Sequence, residues 1–242
     1  MVFSSLVFLC IFLPTVFLLY TLVPSLKFRN GLLIVASLIF YAYGEPVYVL
    51  QMIFSSLLNY ICARLVANEN AKRKLVLVLA VVINLGILAV FKYSGFFVES
   101  LNSVTGLAIP VPQIDLPIGI SFFTLQAVSY LFDVYRGLIK ADDNILRLAL
   151  FMSFFPQIVE GPICRYSQTA DQLWNVKQIE FENLKLGAVR ILFGLMKKLV
   201  IADRLNPMIK QIFSHYDDYQ GGIIALGAIA YTIQLYCDFS GT

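Results

Sequence analysis

Long apolar runs alternate along the chain with short polar interruptions, and the run lengths predict helices that cross a lipid bilayer. One crossing takes about 20 apolar residues at about 1.5 Å per residue. Runs of this kind cover 3–24, a short 30–44, 47–66, 75–91 and 116–135. Beyond them lie an apolar but broken stretch at 146–164 and helices at 184–205 and 222–239. Tyr20, Tyr41, Tyr43 and Tyr48 fall near predicted helix ends, as an aromatic belt does. The segment 94–115 predicts an interfacial helix followed by a proline-punctuated loop. No internal repeat or linker divides the pattern, so one all-α, polytopic membrane domain over 1–242 is expected.

One stretch departs from the pattern. In "FPQIVEGPICRY" (155–166), Pro156, Gln157, Glu160 and Pro162 stand where a spanning helix is most apolar. The two prolines remove backbone donors and break helical hydrogen bonding, which lipid does not tolerate. Such backbone survives only where protein buries it or water reaches it. A broken, re-entrant segment around a wet chamber follows, with Gln157, Glu160 and Arg165 lining it.

Three further patterns concern polar positions. Ser121, Gln126, Ser129, Asp133 and Arg136 share one arc of a helix, which predicts hydrogen bonding between helices and an Asp133–Arg136 pair near the inner interface. Arg190, Lys197 and Arg204 recur every seven residues. On an α-helix they share one face and span about 21 Å, too far for all three to reach the same interface. That face is either a cationic wall for the phosphates of a coenzyme or a carrier-linked donor, or a contact for lipid headgroups and partner carboxylates. In the last helix Gly227, Tyr231, Gln234 and Asp238 form a narrow stripe, and an ionisable group there marks a functional site or a tie to a neighbouring segment.

Composition and charge sharpen this picture. The 242 residues are 59% hydrophobic and 14% charged, which excludes an ordinary soluble domain. With the N-terminus outside, nine basic residues (Lys27, Arg29, Arg64, Lys72, Arg73, Lys74, Arg136, Lys140, Arg147) fall in inside loops and Lys92 alone outside, so that orientation is expected. No Lys or Arg precedes the run Leu6–Tyr20, which predicts a retained first span rather than a signal peptide. Cys10, Cys62, Cys164 and Cys237 are scattered and predict buried thiols, with no metal-ligand spacing. The chain has no GxSxG, P-loop, HExxH or CxxC pattern. Its one histidine, His215, lies in a polar loop and is expected to be solvated.

Four blocks then stand in order: "LPIGISFFTLQAVSYLFDVYRG" (116–137), "FMSFFPQIVEGPICRY" (151–166), "GLMKKLVIADRL" (194–205) and "QLYCDFSG" (234–241). Together they resemble the membrane-bound O-acyltransferase family, in its bacterial branch of alginate O-acetyltransferases and D-alanyl-lipoteichoic-acid proteins. The resemblance covers the whole chain but not the whole family fold. It implies a membrane-embedded chamber in which an acyl group passes from an inner donor to an acceptor hydroxyl. The acceptor is an exported polysaccharide, a wall polymer or a partner protein. No cofactor is expected to be bound; acetyl-CoA or an acyl-carrier thioester enters as co-substrate. The family's histidines lie in later segments, one of them in a Trp-His-Gly context, and neither is present here. The chain is therefore expected to be the N-terminal portion of such an enzyme, truncated after the "DFSG" block, in a bacterial inner membrane. As chamber-lining or donor- and acceptor-binding candidates the resemblance leaves Gln157, Glu160, Arg165, Arg190, Lys197, Lys198, Arg204, Gln234 and Asp238, with no catalytic and no metal-binding residue. Two other functions stay open. A transporter calls for paired, repeated broken helices, and only one broken segment is found. A non-catalytic membrane fragment or interaction protein is the other.

Overall fold

The computed structural model describes residues 5–68, 72–112, 114–158, 163–175 and 180–241, and among them every regular element is a helix. The all-α class predicted by the apolar runs is the class observed. Among the described residues four helices are long and apolar enough to cross a membrane: α2 (Leu26–Gly44), α3 (Val49–Ala67), α4 (Arg73–Thr105) and α11 (Gly221–Gly241). The chain packs as two compact units, one of Val16–Val176 and one of Val2–Thr15 with Lys177–Thr242.

Helix boundaries follow the proline and glycine signals, with several corrections to the expected spans. The first expected span ends earlier, at Leu22, and the apolar helix found there, Phe8–Leu22 with α1 as Leu13–Leu22, is shorter than a full crossing. Phe8–Phe12 is a π-helical turn, with the Leu13 N–H bonded five residues back to Phe8. Pro14 has no N–H to offer, so an ordinary ladder cannot continue across it. Helix α2 is 19 residues rather than the short 30–44, because Lys27 and Arg29 continue its first turn. There the Arg29 Nε donates to the Val23 carbonyl (2.6 Å) and its guanidinium lies over Tyr20.

The largest correction is α4. It does not stop at 91 before a separate interfacial helix; it runs 33 residues and ends where Gly106 (φ 71°) takes a left-handed cap. Nothing in 92–105 breaks a helix, and Lys92 is exposed on its side with its ammonium over Tyr93. At about 1.5 Å per residue α4 is about 50 Å long, well beyond the roughly 30 Å of hydrocarbon. Conversely, α5 (Ile120–Tyr135) has 16 residues, because 116–119 form a turn in place of its expected start.

In the first unit α3 lies among α2, α4, α5 and α6 (Ile145–Ser153), around a core that includes Phe40, Met52, Phe123, Tyr130, Leu131, Leu148 and Phe151. One buried polar contact joins two of the spanning helices. The Asn59 and Asn84 amides donate to each other at 3.0 Å in both directions, and each also donates to the carbonyl four residues back. Such interhelical amide bonds contribute about 0.6–2 kcal/mol in a membrane. At the start of α4, Arg73 donates to the carbonyls of Val66 (2.9 Å) and Tyr135 (3.0 Å), which ties the ends of α3 and α5 to it. No ion pair joins Asp133 to Arg136 among the described residues, in contrast to expectation.

The second unit is built on one long helical stretch folded against α11. It comprises α9 (Phe181–Leu195), a π-helical segment Met196–Ala202, and α10 (Asp203–Ser214). Here too a proline follows the π segment: Pro207 cannot donate, so the Asp203 carbonyl loses its helical partner.

Candidate functional site

The predicted break is real and begins where the sequence places it. Helix α6 ends at Ser153, Phe154 turns extended (ψ 112°), and α7 (Phe155–Ile158) restarts with Pro156 in its first turn, where a missing N–H costs nothing. The backbone donors at the restart are accounted for. Phe155 N–H donates to the Ser37 hydroxyl oxygen (3.2 Å), Ser37 donates to the Leu33 carbonyl (2.7 Å), and Gln157 N–H bonds Phe154 (2.9 Å). The Phe155 ring packs on Phe40 with centroids 5.7 Å apart. Opposite the restart stands Gly119 at the head of α5, with φ 76°; a Cβ there would overlap the Ile158 carbonyl oxygen.

Around this break some polar atoms lack partners. Gln157 is half-buried and its Oε1 is buried without a hydrogen bond, as is the Nε2 of fully buried Gln126 on α5. Buried amide groups of this kind are ordinarily met by protein or water. Arg165 is exposed at the cap of α8 (Tyr166–Trp174). Glu160 lies outside the described residues, together with the rest of 159–162.

Sequence reasoning missed a polar cleft of about 590 Å³ between the 138–144 turn and α8. Its walls include Lys140, Asp142, Arg147, Tyr166, Asp171 and Trp174. Tyr166 donates its hydroxyl to the Asp142 carboxylate, and Arg147 pairs with Asp142 (3.5 Å) and Asp171 (3.0 Å). Burial first, then the hydrogen bond to Asp142 and that residue's charge, push the Tyr166 phenol well above its ordinary pKa, so it stays a neutral donor. Arg64 and Tyr60 of α3 hold the neighbouring Asp143 through its carboxylate and carbonyl. The signal was "ADDN" with Arg147 one helical turn on, but a loop carboxylate pair is read as solvated until its cations are placed.

In the second unit the structure gathers three of the predicted residues, Lys197, Lys198 and Asp238, at one crossing of π segment and α11. Lys198 pairs with Asp238, and with Asp203 at 3.5 Å. Burial draws the Lys198 ammonium down, but hydrogen bonding to Asp238 and the charges of both aspartates outweigh it, so its pKa lies above the ordinary lysine value. Lys197 reaches the Ser240 hydroxyl (3.3 Å) and lies 4.9 Å from the Phe193 ring centroid and 6.0 Å from that of Tyr236. Gln234 is half-buried one turn before Asp238 on α11. Two glycines allow the approach. A Cβ on Gly194 would stand 2.6 Å from the Gly241 carbonyl oxygen, and one on Gly241 2.8 Å from that of Gly194.

The seven-residue cationic stripe does not carry through. Within Met196–Ala202 the bonds run five residues back, which rotates later positions relative to an α-helical repeat. Arg190 and Arg204 are both exposed, while Lys197 reaches the Ser240 hydroxyl on α11. In the stripe on α11, Gly227 packs against Ile212 while Tyr231 stays exposed. His215 is exposed at the end of α10. Of the cysteines, Cys62 and Cys237 are buried, Cys164 is intermediate, and Cys10 is exposed, against expectation. Among the described residues no group of three His, Cys, Asp or Glu is placed to hold a metal.

The four sequence blocks thus meet in pairs, each through a glycine: 116–137 with 151–166 at Gly119, and 194–205 with 234–241 at Gly194 and Gly241. Curated relatives share this chain from end to end. It is 40% identical to the probable alginate O-acetylase of Azotobacter vinelandii and 39% identical to that of Pseudomonas aeruginosa, covering 100% of this chain and 49% and 47% of those proteins. A peptidoglycan O-acetyltransferase of Helicobacter pylori is 31% identical, over 100% of this chain and 52% of its own length. The chain spans about half the length of the curated relatives it matches. No family model matches it.

Proposed function

We propose, on the premise that this chain is a homologue of part of the bacterial alginate O-acetylases and belongs with them among the membrane-bound O-acyltransferases, that it forms the donor- and acceptor-holding part of an O-acetyltransferase. The acceptor in this reading is a hydroxyl of an exported polysaccharide, alginate or a cell-wall polymer. The donor is acetyl-CoA or an acyl-carrier thioester, bound as co-substrate from the inner side of a bacterial inner membrane. The observation that carries the proposal is the 40% identity over the chain's whole length.

Acyl transfer to a hydroxyl needs a base for the hydroxyl proton and donors for the developing oxyanion. His215, exposed at the end of α10, is given no chemical step. The roles assigned are binding roles. Lys198 is neutralised by Asp238 and Asp203, so it positions α11 against the π segment. Lys197, beside the Ser240 hydroxyl and two aromatic faces, offers its charge to an anionic substrate group. Arg165, Arg190 and Arg204 are exposed cations for the same chemistry, and Gln157, Glu160 and Gln234 are amide and carboxylate groups for sugar hydroxyls.

Complementation tests the proposal in a strain deleted for its own O-acetylase. A protein of the relatives' length that carries residues 1–242 restores O-acetyl ester on the exported polymer, His215→Ala in it leaves that level unchanged, and residues 1–242 by themselves restore none. Restoration by 1–242 that His215→Ala abolishes overturns the reading.

A further inference from the structure

Helix α5 and the turn after it touch the helix break on both sides. Gly119, at the head of α5, meets the carbonyl of Ile158, the last residue of α7. Past the other end of α5, Asp142 receives the hydroxyl of Tyr166, the first residue of α8. The chain that leaves α6 at Ser153 thus comes back against the same helix, with the Tyr166 and Phe151 ring centroids 5.0 Å apart.

Asp142 is the hub of that return. Its side chain is 7% exposed, and its carboxylate accepts from the Tyr166 hydroxyl and the Asn144 N–H (2.8 Å) and pairs with the Arg147 guanidinium (3.5 Å). Its own N–H donates to the Tyr130 hydroxyl oxygen on α5 (2.9 Å), and the Tyr130 ring lies 4.6 Å from that of Tyr166. Arg147 carries the tie onward to Asp171, farther along α8 (3.0 Å). Attached at Tyr166 and again at Asp171, α8 is fixed both in where it begins and in which way it points.

Packing alone does not call for such a device. A buried carboxylate is costly unless paired. A buried ion pair stabilises little compared with apolar groups of the same volume, and its best-attested use is to set register. The residue whose register is set here is Arg165. It stands at the cap of α8 in extended conformation (ψ 135°), its side chain is exposed, and Tyr166 is its neighbour in the chain. A planar guanidinium holds an anion through a fixed fork of donors. Misplacing a positioning group by about 1 Å can cost about 10²-fold in rate.

We infer that Asp142 is a positioning residue of the transfer site: acting through Tyr166, it sets where Arg165 presents its guanidinium to the anionic part of a substrate. The inference rests on the binding role proposed above for Arg165, and it makes that role depend on the turn 138–144.

The test uses the deletion strain and a protein of the relatives' length that carries residues 1–242. It reads O-acetyl ester on the exported polymer at equal amounts of folded protein, measured by size exclusion. Tyr166→Phe, which keeps the ring packing and removes only the hydroxyl, is expected to lower the ester about ten-fold. In the Arg165→Lys background the same change costs at most about two-fold, because a flexible ammonium depends less on a fixed backbone. In the Arg165→Ala background it costs nothing further. Asp142→Asn, which withdraws the charge from Arg147, gives the same pattern and decides the matter if Tyr166→Phe fails to fold. An equal fold-loss in every background marks a merely structural tie and overturns the inference, while the proposed function stands. So does a Tyr166→Phe protein at the parent level. Arg165→Ala at the parent level removes the binding role of Arg165 and the inference with it. A parent that restores no ester refutes the proposed function itself.

Discussion

At Gly119 two demands coincide: a φ of 76°, and an Ile158 carbonyl oxygen standing where a Cβ would be. At Gly194 only the second applies, through the Gly241 carbonyl oxygen 2.6 Å from the Cβ position. The consequences should be ranked accordingly. A left-handed non-glycine residue alone costs roughly 1–2 kcal/mol, and at Gly119 backbone must also move away. Gly119→Ala is therefore expected to abolish a monodisperse, folded protein. Gly194→Ala lowers the thermal midpoint while keeping the fold, and Gly187→Ala, inside α9 with nothing within 4 Å, raises it slightly because alanine is the better helix former. Fluorescence-detected size exclusion after a temperature series separates the three. These glycines were legible in the sequence only as members of blocks. Their close approaches depend on partners 39 and 47 positions away, which no local pattern encodes.

Helix existence and type were legible in most places, because an apolar run of spanning length has few other solutions in lipid. The end of α4 was not, since the composition after Lys92 turns polar without any residue that stops a helix. Nor was the π segment at Met196–Ala202, whose cue, Pro207, stands five residues beyond it. That segment sets a pH prediction for Lys198. Its pKa is raised above the unfolded value of about 10.4. The contribution of the ion pair is then complete below that value and lost only as pH rises through the higher folded one. Lys198→Met, which removes the cation shared by Asp238 and Asp203, is expected to cost roughly 1–3 kcal/mol. Over about pH 6 to 9 the deficit should stay constant in thermal unfolding. A deficit that grows or vanishes within that window contradicts the described pairing.

For the whole molecule, the basic residues predict an orientation that the helix packing does not depend on. With the N-terminus outside, position 72 faces the cytoplasm and position 103 does not. In a cysteine-free background, a membrane-impermeant thiol reagent added to spheroplasts should modify a cysteine at Ser103 and spare one at Lys72. The reverse pattern inverts the topology. The length of α4 adds weight to the choice of Ser103: at roughly 20 Å beyond the hydrocarbon thickness, its last turns stand clear of the lipid on whichever side they emerge. What the sequence left dark at this scale was the arrangement of the helices in two units, since contacts such as Asn59–Asn84 and Arg147–Asp171 join positions whose partners only a fold can select.

The bond from Phe155 to Ser37 joins residues 118 positions apart. A ribosome therefore releases the acceptor long before the donor exists. During that interval Ser37 can rest on its own helix, because its hydroxyl donates to the Leu33 carbonyl and its lone pairs wait. The Phe155 N–H reaches that hydroxyl only once the helix break stands beside α2. Synthesis thus delivers the acceptor, already oriented on its own helix, 118 residues ahead of the donor it will hold.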